Sequence, residues 1–171
     1  MPKVVLQHHL EQDLNLRPVD RKPKCLARCT TVPPNCRVCG TVSMSCMCHF
    51  SGAHVTLTDR PVALPVLRKN IECNGVQNVE ALELNWGQKN LDQFSHPYDV
   101  IIGADIVYVE ETFEDLLLTI EQLSDDRTIV VLSCHIRYER DLRFLELLRK
   151  RFAVQLLHQN RDVKVFTARK L

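Results

Sequence analysis

From residue 54 onward, apolar and polar residues repeat with the period of a strand or of a helix in turn. The segments with strand periodicity or an unbroken apolar run are residues 54–58, 79–84, 98–104, 128–134, 153–158 and 163–168. The segments with helical periodicity are residues 61–74, a helix that begins at Thr112, and residues from about 141 to 152. Strands that alternate with helices predict an α/β protein with a mostly parallel sheet. The last two strands have no helix between them, so we expect an antiparallel hairpin at the sheet edge.

Local signals predict where the helices begin and end. Gly75 is a typical stop for the first helix, and Pro65 suits the first turn of a helix that begins there. Thr112 and Asp115 have the spacing of a capping box at the start of the second helix. The apolar side chains of that second helix fall on one face, and they are Phe113, Leu116, Leu117, Ile120 and Leu123.

Residues 1–53 lack this regularity. They show no sustained period, and Pro33-Pro34 interrupts their middle. They carry seven basic and three acidic side chains, together with six of the eight cysteines of the chain. We therefore expect residues 1–51 to be an irregular segment rich in cysteine and proline, and residues 52–171 to be the folded domain.

Composition and charge exclude several classes of protein. With 22 basic and 21 acidic side chains, the chain is not a strongly cationic nucleic-acid binder. The basic residues near 137–151 include the i,i+4 spacings Glu139–Arg143 and Glu146–Lys150, which predict an ion-paired, solvated helix face. There is no apolar run of about 18 residues for a membrane span, and residues 1–15 do not resemble a secretory signal. We therefore expect a cytoplasmic protein without a membrane or nucleic-acid partner.

Polar or aromatic side chains follow three of the predicted parallel strands. They are Asp59, Trp86 and the pair Asp105 and Tyr108. Ligands of such sheets bind beyond the carboxyl ends of the strands, where a carboxylate could accept hydrogen bonds from a ribose diol and an indole could stack on a purine. Each residue also has an ordinary interpretation, since an acid after a strand often caps a helix and a lone tryptophan often fills a core. Their location at one edge favours a shared site.

Four segments carry a resemblance to a known family: GAHVTLTDR, LNWGQ, YDVIIGADIVYVEETF and CHIRYERDLRFL. They resemble the protein-lysine methyltransferases of methyltransferase-like family 21, and the D-x-x-Y at Asp105–Tyr108 is the most specific shared motif. The R-Y-E-R-D stretch at 137–141 is most similar to the member that methylates Hsp70-type chaperones. The member directed at an elongation factor is the second choice.

The resemblance implies a Rossmann-like seven-β-strand methyltransferase fold and an S-adenosylmethionine-dependent protein-lysine N-methyltransferase. It implies that Asp59 holds the ribose of the cofactor and that Trp86 and Ala104 flank the adenine. It implies that Asp105 and Tyr108 face the incoming lysine as catalytic residues. The expected partner is a protein substrate of the Hsp70 type, the expected state is a monomer, and no metal is expected.

One part of the family pattern is absent from the sequence. The family has an acidic-x-Gly-x-Gly loop at its central first strand, whereas residues 36–42 read CRVCGTV at the corresponding spacing. The whole chain has five glycines, against the ~12 that average usage would give. We therefore expect the first strand and the cofactor loop to be missing or replaced, leaving two interior strand edges unpaired. A catalytically inactive, amino-terminally incomplete form is the alternative function.

Two hypotheses account for residues 1–51. The first is a zinc module, although C-x-C-H is not a usual second ligand pair; its ligands would be Cys36, Cys39, Cys46, Cys48 and His49. The second is that the segment is not native coding sequence, since residues 48–51 back-translate to a pyrimidine-rich stretch that can end in TTTTCAG, like a splice acceptor. We favour the second hypothesis.

Overall fold

The computed structural model describes residues 54–73, 77–94 and 97–171, together with the backbone of residues 24–29. The strands are β1 (Lys24–Cys29), β2 (His54–Asp59), β3 (Val79–Glu83), β4 (Val100–Ala104), β5 (Ile129–His135), β6 (Phe152–Asn160) and β7 (Val163–Lys170). The helices are α1 (Leu64–Cys73), α2 (Phe113–Leu123) and α3 (Glu139–Arg149). Short 3-10 turns at Pro61–Ala63 and Glu110–Thr112 lead into α1 and α2.

The strands form one sheet in the order β3-β2-β1-β4-β5-β7-β6. Strands β1 to β5 pair in parallel, while β7 is antiparallel to both of its neighbours, β5 and β6. The predicted α/β class, the mostly parallel sheet and the terminal hairpin at its edge are therefore confirmed.

The prediction that the first strand is missing is wrong, because the described backbone of residues 24–29 forms strand β1. Strand β1 lies between β2 and β4, and Leu26 is in register with Thr56 on one side and with Ile101 on the other. The two interior edges that were expected to be unpaired are therefore paired with β1. The sequence pattern missed this strand because Lys24 and Arg28 interrupt the apolar run that is typical of a central parallel strand. The segment of the expected cofactor loop and the cysteines of the zinc hypothesis lie outside the described residues.

The helix boundaries confirm some local signals and correct others. Pro65 lies in the first turn of α1, as predicted, whereas Gly75 lies outside the described residues. The capping box predicted for Thr112 and Asp115 is wrong, because the Thr112 hydroxyl donates a hydrogen bond to the carbonyl of Val109 at 2.8 Å. The 3-10 turn that precedes α2 presents this carbonyl to the hydroxyl.

Helices lie on both faces of the sheet, and the apolar residues of β5 are buried on both of its faces, in two separate clusters. Helices α2 and α3 pack on one face, where Leu117 and Leu148 are fully buried with Leu132 of β5. The rings of Phe113 and Phe144 join these two helices edge to face, with centroids 5.2 Å apart. The apolar face predicted for α2 is buried throughout.

On the opposite face, α1 packs against β2 and β3. Leu64 and Leu67 of α1 are buried against Val55 and Leu57 of β2. The described helices thus cover the faces of the sheet, and the carboxyl ends of the parallel strands lie at its edge. Among the described residues, no helix has the length and the apolar character needed to span a bilayer.

Candidate active site

The carboxyl ends of the parallel strands are level with one another. The register pairs Asp59 of β2 with Glu83 of β3, and Cys29 of β1 with Ala104 of β4. Trp86 follows β3 by three residues, and Asp105 follows β4 directly. The structure thus brings Asp59, Trp86, Ala104 and Asp105 to one edge, as the sequence predicted.

Asp59 is half-buried at the end of β2 and holds the turn that leaves the strand. Its Oδ1 accepts a hydrogen bond from the backbone N–H of Arg60 at 2.8 Å. Its backbone carbonyl accepts a hydrogen bond from the N–H of Leu84 at 2.9 Å, which ties the exits of β2 and β3 together. The carboxylate is therefore fixed in place at the edge, and a carboxylate there is suited to accept hydrogen bonds from ligand hydroxyls.

Trp86 lies in a tight turn that is anchored to α2. The next residue, Gly87, has φ +78°, and its N–H donates to the Thr119 hydroxyl at 2.9 Å. A Cβ at Gly87 would lie only 2.6 Å from Oδ1 of Asp115, so a side chain does not fit there. The half-buried indole of Trp86 packs against the large core cluster and is held in a defined position.

A small cavity lies beneath this turn. Trp86, Thr58, Gly103 and Ile106 are among the residues that line its volume of about 30 Å³. This volume holds one or two water molecules and is far too small for a purine. A purine would therefore have to lie against the accessible part of the indole, outside the cavity.

The turn after β4 is the most constrained part of the edge. Asp105 adopts φ +54°, a left-handed conformation that aspartate tolerates better than most residues. Its N–H donates to the carbonyl of Ser133 at 2.9 Å, which continues the pairing of β4 with β5. Ile106 and Val107 are buried, whereas Tyr108 is 45% exposed. The turn thus presents a half-buried carboxylate and an accessible phenol ring, backed by apolar side chains.

Because Gly103 has no side chain, the side chains of Ile106 and Leu132 can approach its backbone closely. A Cβ at Gly103 would collide with Cδ1 of Ile106 and lie 3.0 Å from Cδ2 of Leu132. Ile106 is the residue that links Asp105 to the core. The glycine in G-A-D is therefore required for packing, which the sequence motif alone did not reveal.

The segment after β5 is held by a buried carboxylate. Asp141 is 3% exposed, and its Oδ2 accepts hydrogen bonds from the N–H groups of Arg137 at 2.8 Å and Tyr138 at 3.0 Å. This cap starts α3 at Glu139, two residues before the predicted start at Asp141. The sequence missed the role of Asp141 because the capping acid lies inside the helix, although an acid in a first helical turn was the available signal.

Basic side chains in and after α3 are ion-paired, but the predicted i,i+4 pairs Glu139–Arg143 and Glu146–Lys150 are not among the salt bridges of the described residues. Arg143 pairs with Glu110 at 2.7 Å, and Arg151 pairs with Glu114 at 2.6 Å. The hydrogen bond that Arg143 donates to the carboxylate of Glu110 raises the pKa of Arg143. Arg143 thus joins α3 to the 3-10 turn that leads into α2, and Arg151, two residues after the end of α3, pairs with a residue of α2 itself.

Cys134 is a buried thiol close to this edge. Burial, with smaller contributions from the negative charges of Asp105 and Asp141, raises the pKa of Cys134 to about 12. A thiol of this kind is protonated and a poor nucleophile at neutral pH. The prediction that Cys134 is a core residue is confirmed, since it packs in the large cluster.

Metal chemistry finds no support in the part of the chain that the structure describes. Within these ranges no group of three or more His, Cys, Asp or Glu side chains could hold a metal ion. His135, at the end of β5, has its Nδ1 2.5 Å from a guanidinium nitrogen of Arg137 and its Nε2 3.8 Å from Oδ2 of Asp162. It is a polar residue at a strand end, as the sequence predicted.

Comparison with protein families gives a match to the lysine methyltransferase family over residues 37–151. This range begins before Gly52 and includes Gly40-Thr41. The residues predicted to form the site, from Asp59 to Tyr108, all lie within it.

Several characterised proteins are similar to the chain. The protein N-lysine methyltransferase METTL21A of Danio rerio is 49% identical over 136 residues, covering 75% of the chain and 62% of that protein. The Mus musculus METTL21A is 41% identical over 138 residues, covering 77% and 63%. EEF1A lysine methyltransferase 3 of Xenopus tropicalis is 36% identical over 132 residues, covering 74% and 58%. The chain thus spans about 62% of the length of the first of these relatives.

Solved structures support the fold. The precorrin-6y C5,15-methyltransferase of Geobacter metallireducens has a TM-score of 0.64 at 15% identity, covering 98% of the chain and 87% of that structure. The ribosomal protein L11 methylase of Lactobacillus delbrueckii subsp. bulgaricus has a TM-score of 0.63 at 16% identity, covering 96% and 77%. At these identities the likeness concerns the fold alone.

Proposed function

Since the chain belongs to the lysine methyltransferase family, we propose that it is a protein-lysine N-methyltransferase that uses S-adenosylmethionine and acts on Hsp70-type chaperones. The observation that carries this proposal is the turn from Asp105 to Tyr108 at the end of β4, level with Asp59 at the end of β2. At this edge of the sheet, the carboxylate of Asp59 would bind a ribose. The carboxylate of Asp105 and the ring of Tyr108 would bind an amine.

The residues at this edge fit the nucleoside half of the cofactor. Asp59 offers carboxylate oxygens to the ribose hydroxyls, and the half-buried indole of Trp86 offers a surface for the adenine. Ala104, with its small side chain at the end of β4, leaves room on the other side of the base. When bound, S-adenosylmethionine supplies an electrophilic methyl group on a sulfonium.

Asp105 and Tyr108 would position the target lysine. The left-handed backbone of Asp105, its hydrogen bond to Ser133 and the buried Ile106 fix the direction of its carboxylate. The carboxylate orients the amine, and the accessible ring of Tyr108 contacts the ammonium form by a cation–π interaction. Methyl transfer depends mainly on such positioning, because the reacting atoms must lie in line at close distance.

The lysine must lose a proton before it can attack. Ile106 and Val107 exclude water on the protein side of the turn, and this apolar backing lowers the pKa of a lysine placed against it. The proton then leaves to solvent, so neither Asp105 nor Tyr108 has to be a strong base. We propose that the protein acts as a cytoplasmic monomer.

Two alternatives rest on specific observations. The similarity to EEF1A lysine methyltransferase 3 favours an elongation factor as the second candidate target. The scarcity of glycine between Cys29 and Gly52, where Gly40 is the single glycine, favours a form without activity. The backbone of a glycine-rich loop approaches its ligand closely, and other residues prevent that approach.

Cofactor binding separates the inactive form from the others. We expect titration calorimetry with S-adenosylhomocysteine to give a binding isotherm that Trp86→Ala abolishes and that His135→Ala, at the end of β5, leaves intact. The absence of heat at high concentration of a folded chain would overturn the proposal that this chain is an active enzyme.

Methyl transfer to a purified Hsp70-type chaperone tests the activity and the target together. With radiolabelled S-adenosylmethionine, we expect incorporation that Asp105→Asn lowers by about tenfold to a hundredfold, since the isostere keeps the turn but loses the charge that orients the amine. Binding of S-adenosylhomocysteine to this variant should be unchanged. Incorporation into the elongation factor and not into the chaperone would favour the second target.

A further inference from the structure

A polar hollow lies beside the proposed lysine site, at the carboxyl end of β5. It has a volume of about 420 Å³ and is lined by His135, Asn160, Arg161, Asp162 and Val163, where β5 meets the turn between β6 and β7. We call it the Arg161 hollow. Nothing in the proposed chemistry of Asp105 and Tyr108 uses it.

Its position relative to the catalytic turn follows from the strand register. Asp105 donates its N–H to Ser133, and His135 is two residues further along the same strand. Two strand residues advance by about 6.6 Å, and the step from β4 to β5 adds about 4.8 Å. The hollow therefore lies on the order of 10 Å from Asp105, which is the reach of two or three residues of an extended chain.

The side chains around the hollow favour an anionic ligand. Arg161 forms no ion pair among the described residues, and the side chain of Arg137 contacts Nδ1 of His135. Arg143 and Arg151, by contrast, are each paired with a glutamate. Of the lining residues, Arg161 and Asp162 carry opposite charges, and Asp162 lies 3.8 Å from Nε2 of His135. Arg137 contacts His135 and so adds a second guanidinium group at the border of the hollow.

Two features hold this cationic rim in place. The backbone of Arg137 is fixed by the buried carboxylate of Asp141. Arg161 has φ +52°, a left-handed conformation that glycine and asparagine adopt at much lower cost. An arginine kept at a strained turn position points to a use for its side chain.

We propose that the Arg161 hollow recognises an acidic residue of the target protein two or three positions away from the lysine that is methylated. This rests on the proposed function, because it assigns a specificity subsite to the same reaction. The lysine ammonium would lie at Asp105 and the target carboxylate at Arg161, so the two sites would bind opposite charges of one extended segment. Such binding determines which target is chosen and how it is aligned, more than the rate of the chemical step.

The test uses the whole chain and two synthetic peptides, each with a central lysine and either aspartate or asparagine two residues away. Binding is followed by the shifts of backbone amide NMR signals, and methyl transfer is measured in parallel. We expect the aspartate peptide to bind about fivefold more tightly, the range of a partly exposed ion pair. Arg161→Asn should remove this preference without loss of thermal stability, because asparagine suits the left-handed turn.

Two further variants sharpen the result. Arg169→Gln removes the same charge at the other end of β7 and should keep the preference for aspartate. Asp162→Asn removes the opposing carboxylate and should strengthen that preference. Equal affinity for both peptides in the unaltered chain, or a preference that survives Arg161→Asn, overturns the proposal. A preference with no methyl transfer to either peptide contradicts the proposed activity and leaves the hollow supported.

Discussion

At the scale of single residues, the open edge of the sheet is built on left-handed backbone positions. Of the described residues with positive φ, Gly87, Asp105 and Arg161 lie at this edge, next to Trp86, in the proposed catalytic turn and in the Arg161 hollow respectively. Only one of the three is a glycine. The two positions without glycine, Asp105 and Arg161, are strained, and such strain persists because the surrounding packing enforces it and commonly marks a functional region.

The close approach at Gly103 gives the first prediction. Gly103→Ala places a methyl group against Ile106 and Leu132, so we expect a loss of about 1–3 kcal/mol in the free energy of unfolding. Urea denaturation followed by circular dichroism measures this loss. Because Ile106 anchors the proposed catalytic turn, methyl transfer should fall as well.

A second substitution provides the control for Gly103→Ala. Ile106→Val removes the colliding Cδ1 atom, so the double variant should be less destabilised than the sum of the two single variants. Strict additivity of the two effects, or a Gly103→Ala variant as stable as the parent, would contradict the packing role of this glycine.

The buried thiol of Cys134 gives a prediction about alkaline pH. Its pKa is raised by burial to about 12 from an ordinary value of 9.0. Above pH 9 the unfolded chain loses this proton while the folded chain keeps it, so the contribution to stability is complete below about pH 9 and is lost as the pH rises toward 12. Stability curves between pH 8 and 10.5, taken from denaturation midpoints, should fall more steeply for the parent than for Cys134→Ala. Parallel curves would show that the thiol ionises equally in both states.

At the scale of elements, the start of α3 links the fold to the open edge. Asp141 caps the helix from within and holds the backbone of Arg137 and Tyr138, while Arg143 ties the same helix to Glu110 beyond the proposed catalytic turn. One helix therefore positions both loops that frame the proposed lysine site. A substitution of Asp141 should therefore also affect these loops at the proposed lysine site.

Asp141→Ala removes two hydrogen bonds from a buried carboxylate. We expect a loss of about 1–2 kcal/mol in the free energy of unfolding, the usual cost of deleting a helix cap. Glu139→Ala, at an exposed acid of the same first turn, should change stability by less than about 0.5 kcal/mol. Denaturant midpoints measure both values, and equal effects of the two variants would exclude a special role for Asp141.

The sequence predicted most elements because their signals are local. The unbroken run of β5 and the apolar face of α2 report burial directly, so both were found within a residue or two. Strand β1 was missed because its charged residues hide its central location, which depends on pairing with β2 and β4. The proposed site residues lie at strand ends, where the sequence placed them, and their roles stay a prediction. The Arg161 hollow depends on a hairpin that returns to β5, which no local pattern contains.

At the scale of the whole molecule, β1 decides whether the sheet is continuous. Its parallel pairing with β2 and β4 joins the half of the sheet that carries Asp59 to the half that carries Asp105. Without this strand the two proposed binding halves would belong to separate pieces with unpaired edges. The proposed cofactor site therefore depends on a segment whose sequence gives no strong strand signal.

Amide hydrogen exchange tests this dependence. The N–H groups of a central strand exchange only when the whole sheet opens, so amides within residues 25–29 should exchange as slowly as those of β4 and β5. The edge strand β6, which pairs on one side only, should exchange faster and serves as the internal reference. Rapid exchange at residues 25–29, together with protection of β4 and β5, would contradict the central location of β1. It would also predict weak binding of S-adenosylhomocysteine, because Asp59 and Asp105 would no longer be held in register.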